Sequence, residues 1–556
     1  MKRALDLLLD DGSFEKAVGI NEGKIKAKPP TAEKWRAHLE QLVEASILHR
    51  VDKSECVVIN PYFAVMEDEN LARAILNAKS LSKASVRPPP VNLPIISEII
   101  ARLAELSKGR GIHIATADIR HYFHQIRIPR QMQRYFGVNI GNEYFVWTTA
   151  PMGYSWSPFL AQSIAWSLLL TPLNDKEILH WCVNQDVLPS FIDLLDDNGN
   201  VCGFATVFYD NFLIASSNSD VTEAVMKRLR SNASRFRCTL KESSIVGTKR
   251  LILNDDFIGA TYLGVQFGLE QRSSKRRSRK LVWRHDPNKI VSWGRLKEKL
   301  TYREAMRGIG KVVWHQTISL RPFYEIDTVL EAIRSIASVV GRKWDEECHI
   351  DLSSVRYELL KAMKNEWITM GVDTEDEVWA ATDSSANMYG HVVFDKATSR
   401  LESECSKKWG LLSHMHIFYK ESIAACKLLN KLLDVKPRLH IVLGVDNTAA
   451  AHALRRMYTP CVSLQPWLRH ISRKMIQQNS NITVVSLRSA DNCADASSRG
   501  RLATSHEIEN TRQKMLASLR GFRTSELMDT RPHTDDDVLH PENVGFHVDS
   551  IDYLYE

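Results

Sequence analysis

The sequence predicts two folded blocks in tandem, an α+β block followed by an α/β block. Three observations carry this. Short β-rich runs alternate with helical patterns from Ile112 to about Gly268, and a second alternation (strand, strand, helix, strand, helix, strand) runs from near Glu377 to Arg499. A chain of 556 residues also exceeds what one hydrophobic core serves, since cores stop growing near ~250–300 residues.

Taken in order, residues 1–80 read as helical patterns with short polar connectors, and the boundaries that follow are expected at 81–286, 287–345, 346–375, 376–500 and 501–556. RPPPVNLP, Arg87 to Pro94, must be extended, because successive prolines exclude helix. Ile95 to Leu106 then reads as a helix ending before Gly109. Residues 287–345 look mainly helical, and 346–375 read as a linker. From Asp529 the last 28 residues carry eight acidic side chains against one arginine, the pattern of a tail with a short apolar end at Ile551, Tyr553 and Leu554.

Composition narrows the class. The chain is 44% hydrophobic and 25% charged, ordinary for a globular protein, and its net charge of +7 is a mild excess compatible with a polyanionic partner. Nine cysteines occur without C-x-x-C or Cys/His metal spacing, which argues against zinc and disulfide scaffolds and suits a reducing compartment. MKRALDLLLDDGSFEK turns acidic too soon for a secretory signal, and the longest apolar run, Ile164 to Leu173, is too short to span a bilayer. The expectation is a soluble intracellular protein of the cytoplasm or nucleus, without membrane contact.

Two aspartates stand out in the first block. GIHIATADIRHYFHQIRI delivers Asp118 at the end of a strand-like run, followed by Tyr122 and Phe123. Far downstream, ATVFYDNFLIAS flanks Asp210-Asn211 with apolar β runs, which reads as a hairpin with Asp210 at its tip and that dipeptide taking the positive φ of a tight turn. An ionised Asp among apolar strands is costly unless a cation or donor compensates. Either alone is as readily a turn or cap residue; two meeting at one sheet edge would hold Mg²⁺ for phosphoryl transfer.

Here a family resemblance enters. ADIRHYFHQI resembles motif A of reverse transcriptases, APMGYSWSPFLAQ (Ala150 to Gln162) resembles motif B, FYDNFLIA resembles the Y-x-D-D box of motif C, and TYLGVQFG (Thr261 to Gly268) resembles the primer-grip strand, all in order over roughly residues 30–340. The resemblance implies right-hand fingers, palm and thumb. It implies that Asp118 and Asp210 bind two metals, one lowering the pKa of the primer 3′-OH and the other stabilising pyrophosphate. It further implies that Phe123 lies beneath the incoming sugar and rejects a 2′-OH, that Gly153 permits close approach to template or nucleotide, and that Lys241 lies near the triphosphate. RGIGKVVWHQTISLRPF, Arg307 to Phe323, resembles the thumb helix, with Gly310 and Lys311 near template-primer. Two positions depart from the pattern: Met152 replaces the motif B glutamine, and Asn211 replaces the second Asp of the box, removing a charge and lowering the expected metal affinity. Weakened polymerase activity is the expectation.

The second block carries four acids. EVWAATDSSANMYGHVVFD reads as a hairpin with Asp383 on its first strand and Gly390 opening the second. Ile417, Glu421, Ala425, Leu428 and Leu432 recur at helical spacing, so Glu421 points from a buried stripe toward the sheet, where it needs a cation. HIVLGVDNTAAAHAL puts Asp446 at a strand end, and DNCADASSRG puts Asp495 beyond the strand ITVVSL. Thr382–Ser385, Glu421–Ala424, Val445–Asn447 and Asn492–Arg499 resemble the motifs of ribonuclease H, in the form seen in retroelements. The resemblance implies hydrolysis of the RNA strand of an RNA–DNA hybrid by two metals at Asp383, Glu421, Asp446 and Asp495, with Mg²⁺ as the cofactor and Mn²⁺ able to substitute.

Both sets in one chain, with no separate connection domain between them, resemble retroelement polyproteins. AILNAKSLSKASVRPPPVNLPIISEI is most similar to the DIRS-like group, and to kinetoplastid VIPER elements within it. The implied partners are RNA template, DNA primer, RNA–DNA hybrid and dNTPs, with other retroelement proteins supplied from elsewhere. The alternative is a ribonuclease H whose decayed reverse-transcriptase half only binds nucleic acid. RSSKRRSRK, Arg272 to Lys280, holds six basic residues in nine and reads as an exposed loop, a phosphate contact or a nuclear-localisation signal. His113, His121 and His124 cluster near Asp118, but hard Mg²⁺ sites favour oxygen, so packing or surface roles are expected for them.

Overall fold

The computed structural model describes residues 12–26, 29–66, 72–107, 111–171, 188–253, 259–271, 279–290, 293, 296–321, 323–339, 344–369, 376–459 and 461–521. Most of the basic run at 272–280 and all of the acidic tail from Asp529 lie outside the described residues. Two compact units divide the chain: one runs to Leu263 and includes Phe267–Lys280, the other comprises Gly264–Gln266 and Leu281 onward. The α+β block followed by an α/β block is the fold class observed.

The first unit is built on an antiparallel sheet. Its strands are β1 (His113–Ile119), β2 (Phe191–Leu195), β3 (Val201–Phe208), β4 (Asn211–Ser216) and β5 (Leu240–Val246), in the order β5-β1-β4-β3-β2. β3 and β4 are buried along nearly their whole length, which suits their continuous apolar sequences rather than an alternating pattern. Two helices pack here, α1 (Ser157–Leu170) and α2 (Ser219–Arg235), the latter capped by Asn218, whose side chain accepts from Asp220 N. Trp166, Phe212, Ile214, Met226 and Leu229 share one core.

Residues 1–80 are not only helical. Helices Ser13–Val18 and Arg36–Glu44 are present, but Leu48–Val51 pairs with the distant strand Glu143–Trp147, and Tyr62–Met66 forms a ladder with Ala72–Leu76. A strand whose partner lies nearly a hundred residues away leaves no local period to read. Residues 87–94 form neither helix nor strand, and the next helix is Ile96–Leu106.

In the second unit, α3 (Tyr302–Ile318) starts with a capping box between Thr301 and Glu304. α4 (Asp327–Val339) and α5 (Ser353–Met363) share its core, with Ile309, Val329, Ile336, Val355 and Leu359 in contact. α5 occupies the segment expected to be a linker; its apolar residues Val355, Leu359 and Ala362 recur at helical spacing and are buried.

A five-stranded sheet follows, made of β6 (Asp376–Ser384), β7 (Met388–Phe394), β8 (Leu401–Lys408), β9 (Leu439–Val445) and β10 (Asn481–Ser486), in the order β8-β7-β6-β9-β10. β7 runs antiparallel to both β6 and β8, while β9 and β10 run parallel to β6. The helices here are α6 (Ile417–Val435), α7 (Thr448–Arg456), α8 (Gln465–Gln477), α9 (Ala494–Ser498) and α10 (Ser505–Gly521). α6 is buried more completely than a single stripe predicts: every residue from Lys420 to Cys426 is buried, whereas Ile417 is exposed and Leu432 only half-buried. α10 closes the other side of the sheet, with Ile508 and Met515 against Trp379 and Phe394. No helix among the described residues is long and apolar enough to cross a membrane.

Candidate active sites

Among the described residues, both units bring acidic side chains together. In the first, β1 and β4 pair so that Asp118 stands directly opposite Asn211, and Ile119 N donates to Asp210 O at 3.0 Å. Asp210 therefore hangs in the turn beside Asp118. The turn differs from expectation in one respect. Phe208 pairs with Asn211, so the two linking residues are Tyr209 and Asp210, and the positive φ of 51° falls on Tyr209 while Asn211 already belongs to β4.

A tyrosine in left-handed backbone needs support, and Gln162 of α1 supplies it. Its Oε1 accepts from Tyr209 N at 2.8 Å and its Nε2 donates to Val207 O at 2.8 Å, with the side chain fully buried. Below the turn, Tyr262 donates to Asn211 O at 3.3 Å, and the Phe123 ring lies 6.2 Å from that of Tyr209. Neither Gln162 nor Tyr262 stands out in the sequence beyond its place at the end or start of a motif.

Burial, reinforced by the Asp118 charge, pushes the Asp210 carboxyl up to about 6. Asn211 Nδ2 donates to Asp210 Oδ1 at 2.9 Å. The amide thus puts a donor on one oxygen of the carboxylate, where a second Asp would offer an acceptor.

The other residues named from the first block's motifs are placed as follows. Phe123 lies on the helical turn Tyr122–Gln125 after β1, half-buried. Lys241 is exposed at a bulge in β5 between Leu240 and Glu242, next to the position paired with Asp118. Met152 accepts from Leu76 N at 2.9 Å through its carbonyl. Gly153 has φ +102°, and a Cβ there would come within 2.2 Å of Leu76 O, so this chain's own backbone demands the glycine. Lys311 belongs to the second unit, where its ammonium donates to Trp293 O at 3.2 Å and burial lowers its basicity. Of the histidines, His124 is held near 4, chiefly by burial, and packs on Trp147.

The second centre is tighter. Asp383 near the end of β6, Glu421 one turn into α6 and Asp446 just beyond β9 each present an oxygen within 4.8 Å of the others. Asp383 and Glu421 are only 6% and 7% exposed, so their charges meet in low dielectric. Burial first, then the Asp446 charge, pushes Asp383 up to about 6 and Glu421 up to about 9. Ser489 Oγ donates to Asp446 Oδ2 at 2.7 Å, and Ser498 donates to Asp383 Oδ2. Glu421 Oε2 and Asp446 Oδ1 are buried with no partner among the described residues.

Asp495 is not part of this group of three. It sits on α9, where Arg499 donates to its Oδ1 from Nε at 2.9 Å and from Nη2 at 2.8 Å, and its charge reaches Asp383 from one side. α9 lies close to β7 because Gly390, paired with Asp383, has no side chain; a Cβ would come within 2.4 Å of Ser497 Cβ. That contact brings Ser498 onto Asp383. Buried Lys420 donates to Ala386 O at 2.8 Å and Ser413 O at 3.1 Å, tying α6 to the β6–β7 turn.

Carboxylate oxygens, two of them orphaned, suit a hard divalent cation of the Mg²⁺ or Mn²⁺ kind. Asp383, Glu421 and Asp446 would hold it, with Asp495 beside them; Asp118 and Asp210 would do so in the first unit.

No family model and no curated protein matches the chain. Solved structures that resemble it include a foamy viral protease-reverse transcriptase with double-stranded DNA (13% identity, TM-score 0.41, 84% of this chain and 72% of that one). A second is the foamy viral protease-reverse transcriptase with RNA/DNA hybrid (13% identity, TM-score 0.43, 83% of this chain and 55% of that one). A third holds double-stranded DNA (14% identity, TM-score 0.37, 84% of this chain and 87% of that one). Likeness this remote assigns no activity, substrate or partner to the chain.

Proposed function

We propose that this chain is an RNA-directed DNA polymerase with a fused ribonuclease H, which copies retroelement RNA into DNA and hydrolyses the RNA of the resulting hybrid. One observation carries the reading: two buried carboxylates and the half-buried Asp446 converge, and one oxygen each of Glu421 and Asp446 has no partner among the described residues, an arrangement that is costly until a divalent cation compensates it. The opposition of Asp118 and the Asp210 turn supports the polymerase half. Two magnesium ions per site, or manganese in their place, would supply an activated oxygen nucleophile and neutralise the leaving group. Asp118, Asp210, Asp383, Glu421, Asp446 and Asp495 are the ligands in this reading, Phe123, Met152, Gly153 and Lys241 are its substrate-binding residues in the first unit, and Lys311 is a nucleic-acid contact of the second unit. Template RNA, DNA primer, hybrid and dNTPs are its partners, alongside other proteins of a DIRS-like element.

A second reading keeps the nuclease and makes the first unit a non-polymerising scaffold. The Asn211 amide bonded to Asp210 Oδ1 favours it. One preparation separates the two: extension of oligo(dT) on poly(rA), and cleavage of a labelled hybrid, each in Mg²⁺ and Mn²⁺. Extension no greater than that of Asp210→Ala sinks the polymerase. Cleavage that survives Asp383→Asn sinks the nuclease.

A further inference from the structure

On the second unit three lysines converge around a buried histidine. Edge strand β8 pairs with β7 so that Lys407 stands opposite Tyr389 and Cys405 opposite His391. α6 adds Lys427 and Lys431, one turn apart. These groups sense one another: Lys431 and Lys407 add to burial in lowering His391, and Lys407 adds to burial in lowering Lys427. Among the described residues none of the three lysines makes an ion pair. Lys427 Nζ instead stands 4.5 Å from the ring centroid of Tyr389 and 5.0 Å from that of Trp409, while Lys431 Nζ donates to Ser403 Oγ at 3.4 Å.

His391 adds an independent observation. It is 5% exposed, and neither ring nitrogen has a hydrogen-bond partner, although a neutral imidazole always carries one N–H. Mutual repulsion among ammonium groups and an unsatisfied buried donor are both relieved by the same thing, an anion rich in acceptor oxygens. Register carries the patch toward the acidic centre. Tyr389 pairs with Ser384 on one side and Lys407 on the other, so Lys407 lies two strands, about 10 Å, from the end of β6 that bears Asp383.

We infer that Lys407, Lys427 and Lys431, gathered around His391, form a phosphate-binding surface that holds the backbone of a nucleic-acid strand leading away from the carboxylates. The identity of that strand as substrate rests on the nuclease reading; the phosphate chemistry does not. Lysines on an edge strand also discourage sheet-to-sheet pairing, a role that would leave nucleic-acid affinity untouched.

The test uses the full chain carrying Asp383→Asn, so that substrate survives, with and without Lys407→Glu and Lys431→Glu. Both lysines are exposed and neither makes the ring contacts of Lys427, so folding should hold; circular dichroism checks it, and Lys407→Gln with Lys431→Gln replaces the pair if it does not. Fluorescence anisotropy follows binding of a labelled RNA–DNA hybrid and of double-stranded DNA across a salt series. The expected result is an affinity loss of about tenfold or more at low salt and a slope of log K against log [salt] shallower by about 2, one for each phosphate no longer neutralised by a lysine. Unchanged affinity and slope in a folded variant overturn the inference. Displacement of the hybrid by a mononucleotide at matched phosphate concentration would assign the surface to free nucleotides and overturn the strand. Failure of the chain with Asp383 intact to cleave hybrid counts against the nuclease reading alone, because the slope change is read separately on both duplexes.

Discussion

A buried carboxyl with a raised pKa holds its proton more tightly in the folded chain than in the unfolded one. Its stabilising contribution is therefore fully present below about pH 4, the unfolded range, and is lost as pH climbs toward about 6 for Asp383 and about 9 for Glu421. A cation bound there restores what is lost, so the rise in Tm on adding Mg²⁺ should be larger at pH 8.5 than at pH 6. Scanning fluorimetry reads this, and equal shifts at the two pH values count against a metal site. Glu421→Gln should make the metal-free protein more stable at pH 8.5, on the order of 1 kcal/mol or more, while hybrid cleavage falls by more than the ~10–100-fold typical of residues that only support a ligand. In the first unit, Asn211→Asp removes the donor on Asp210 Oδ1 and adds a charge. Primer extension in Mg²⁺ should rise about tenfold, a change of ~1.4 kcal/mol in barrier; no rise would place the limitation elsewhere. Asp118, Asp210 and Asp446 were readable because each follows an apolar β run, and Glu421 because it falls on an apolar helical stripe. Ser489 was not, and Ser498 showed only as part of the Asn492–Arg499 motif: a serine has no pattern that tells a carboxylate's partner from a surface hydroxyl.

Elements decide how those side chains meet. Gly390→Ala would press a methyl into Ser497 and the backbone of Ser498, so α9 must lift from β7. The expected cost is about 1–3 kcal/mol of stability, together with loss of cleavage as Ser498 leaves Asp383, read by melting and by hybrid hydrolysis in the same samples. Full activity in the alanine variant would refute the link. Gln162→Leu leaves Tyr209 N and Val207 O buried without partners, at about 1–3 kcal/mol, and should abolish extension while leaving cleavage intact. Helices were the more legible elements. α3 announces itself with Thr301 and Glu304, whereas the N-terminal strand Leu48–Val51 becomes one only by pairing with Glu143–Trp147. α5 was missed as an element because its short apolar face looks like a linker until α3 and α4 cover it.

For the whole molecule, the two centres should be separable. Asp383→Asn should remove cleavage and keep extension, Asp210→Ala should do the reverse, and chelation should remove both; a single substitution that silences both activities would argue against independent sites. What the sequence determined by itself was the order of the two blocks and the acids in each, since apolar runs and the residues that end them are local, one-dimensional features. Tertiary structure alone decided which acids meet. Asp383, Glu421 and Asp446 come from a strand, a helix and a strand end, and only the β6–β9 register and the seating of α6 bring their oxygens within 4.8 Å. It also decided that Asp495 stands aside with Arg499 and that Tyr209, not Asn211, takes the positive φ in the turn beside Asp118. Burial and proximity between distant segments set charge, pKa and strain, and no spacing along the chain encodes them.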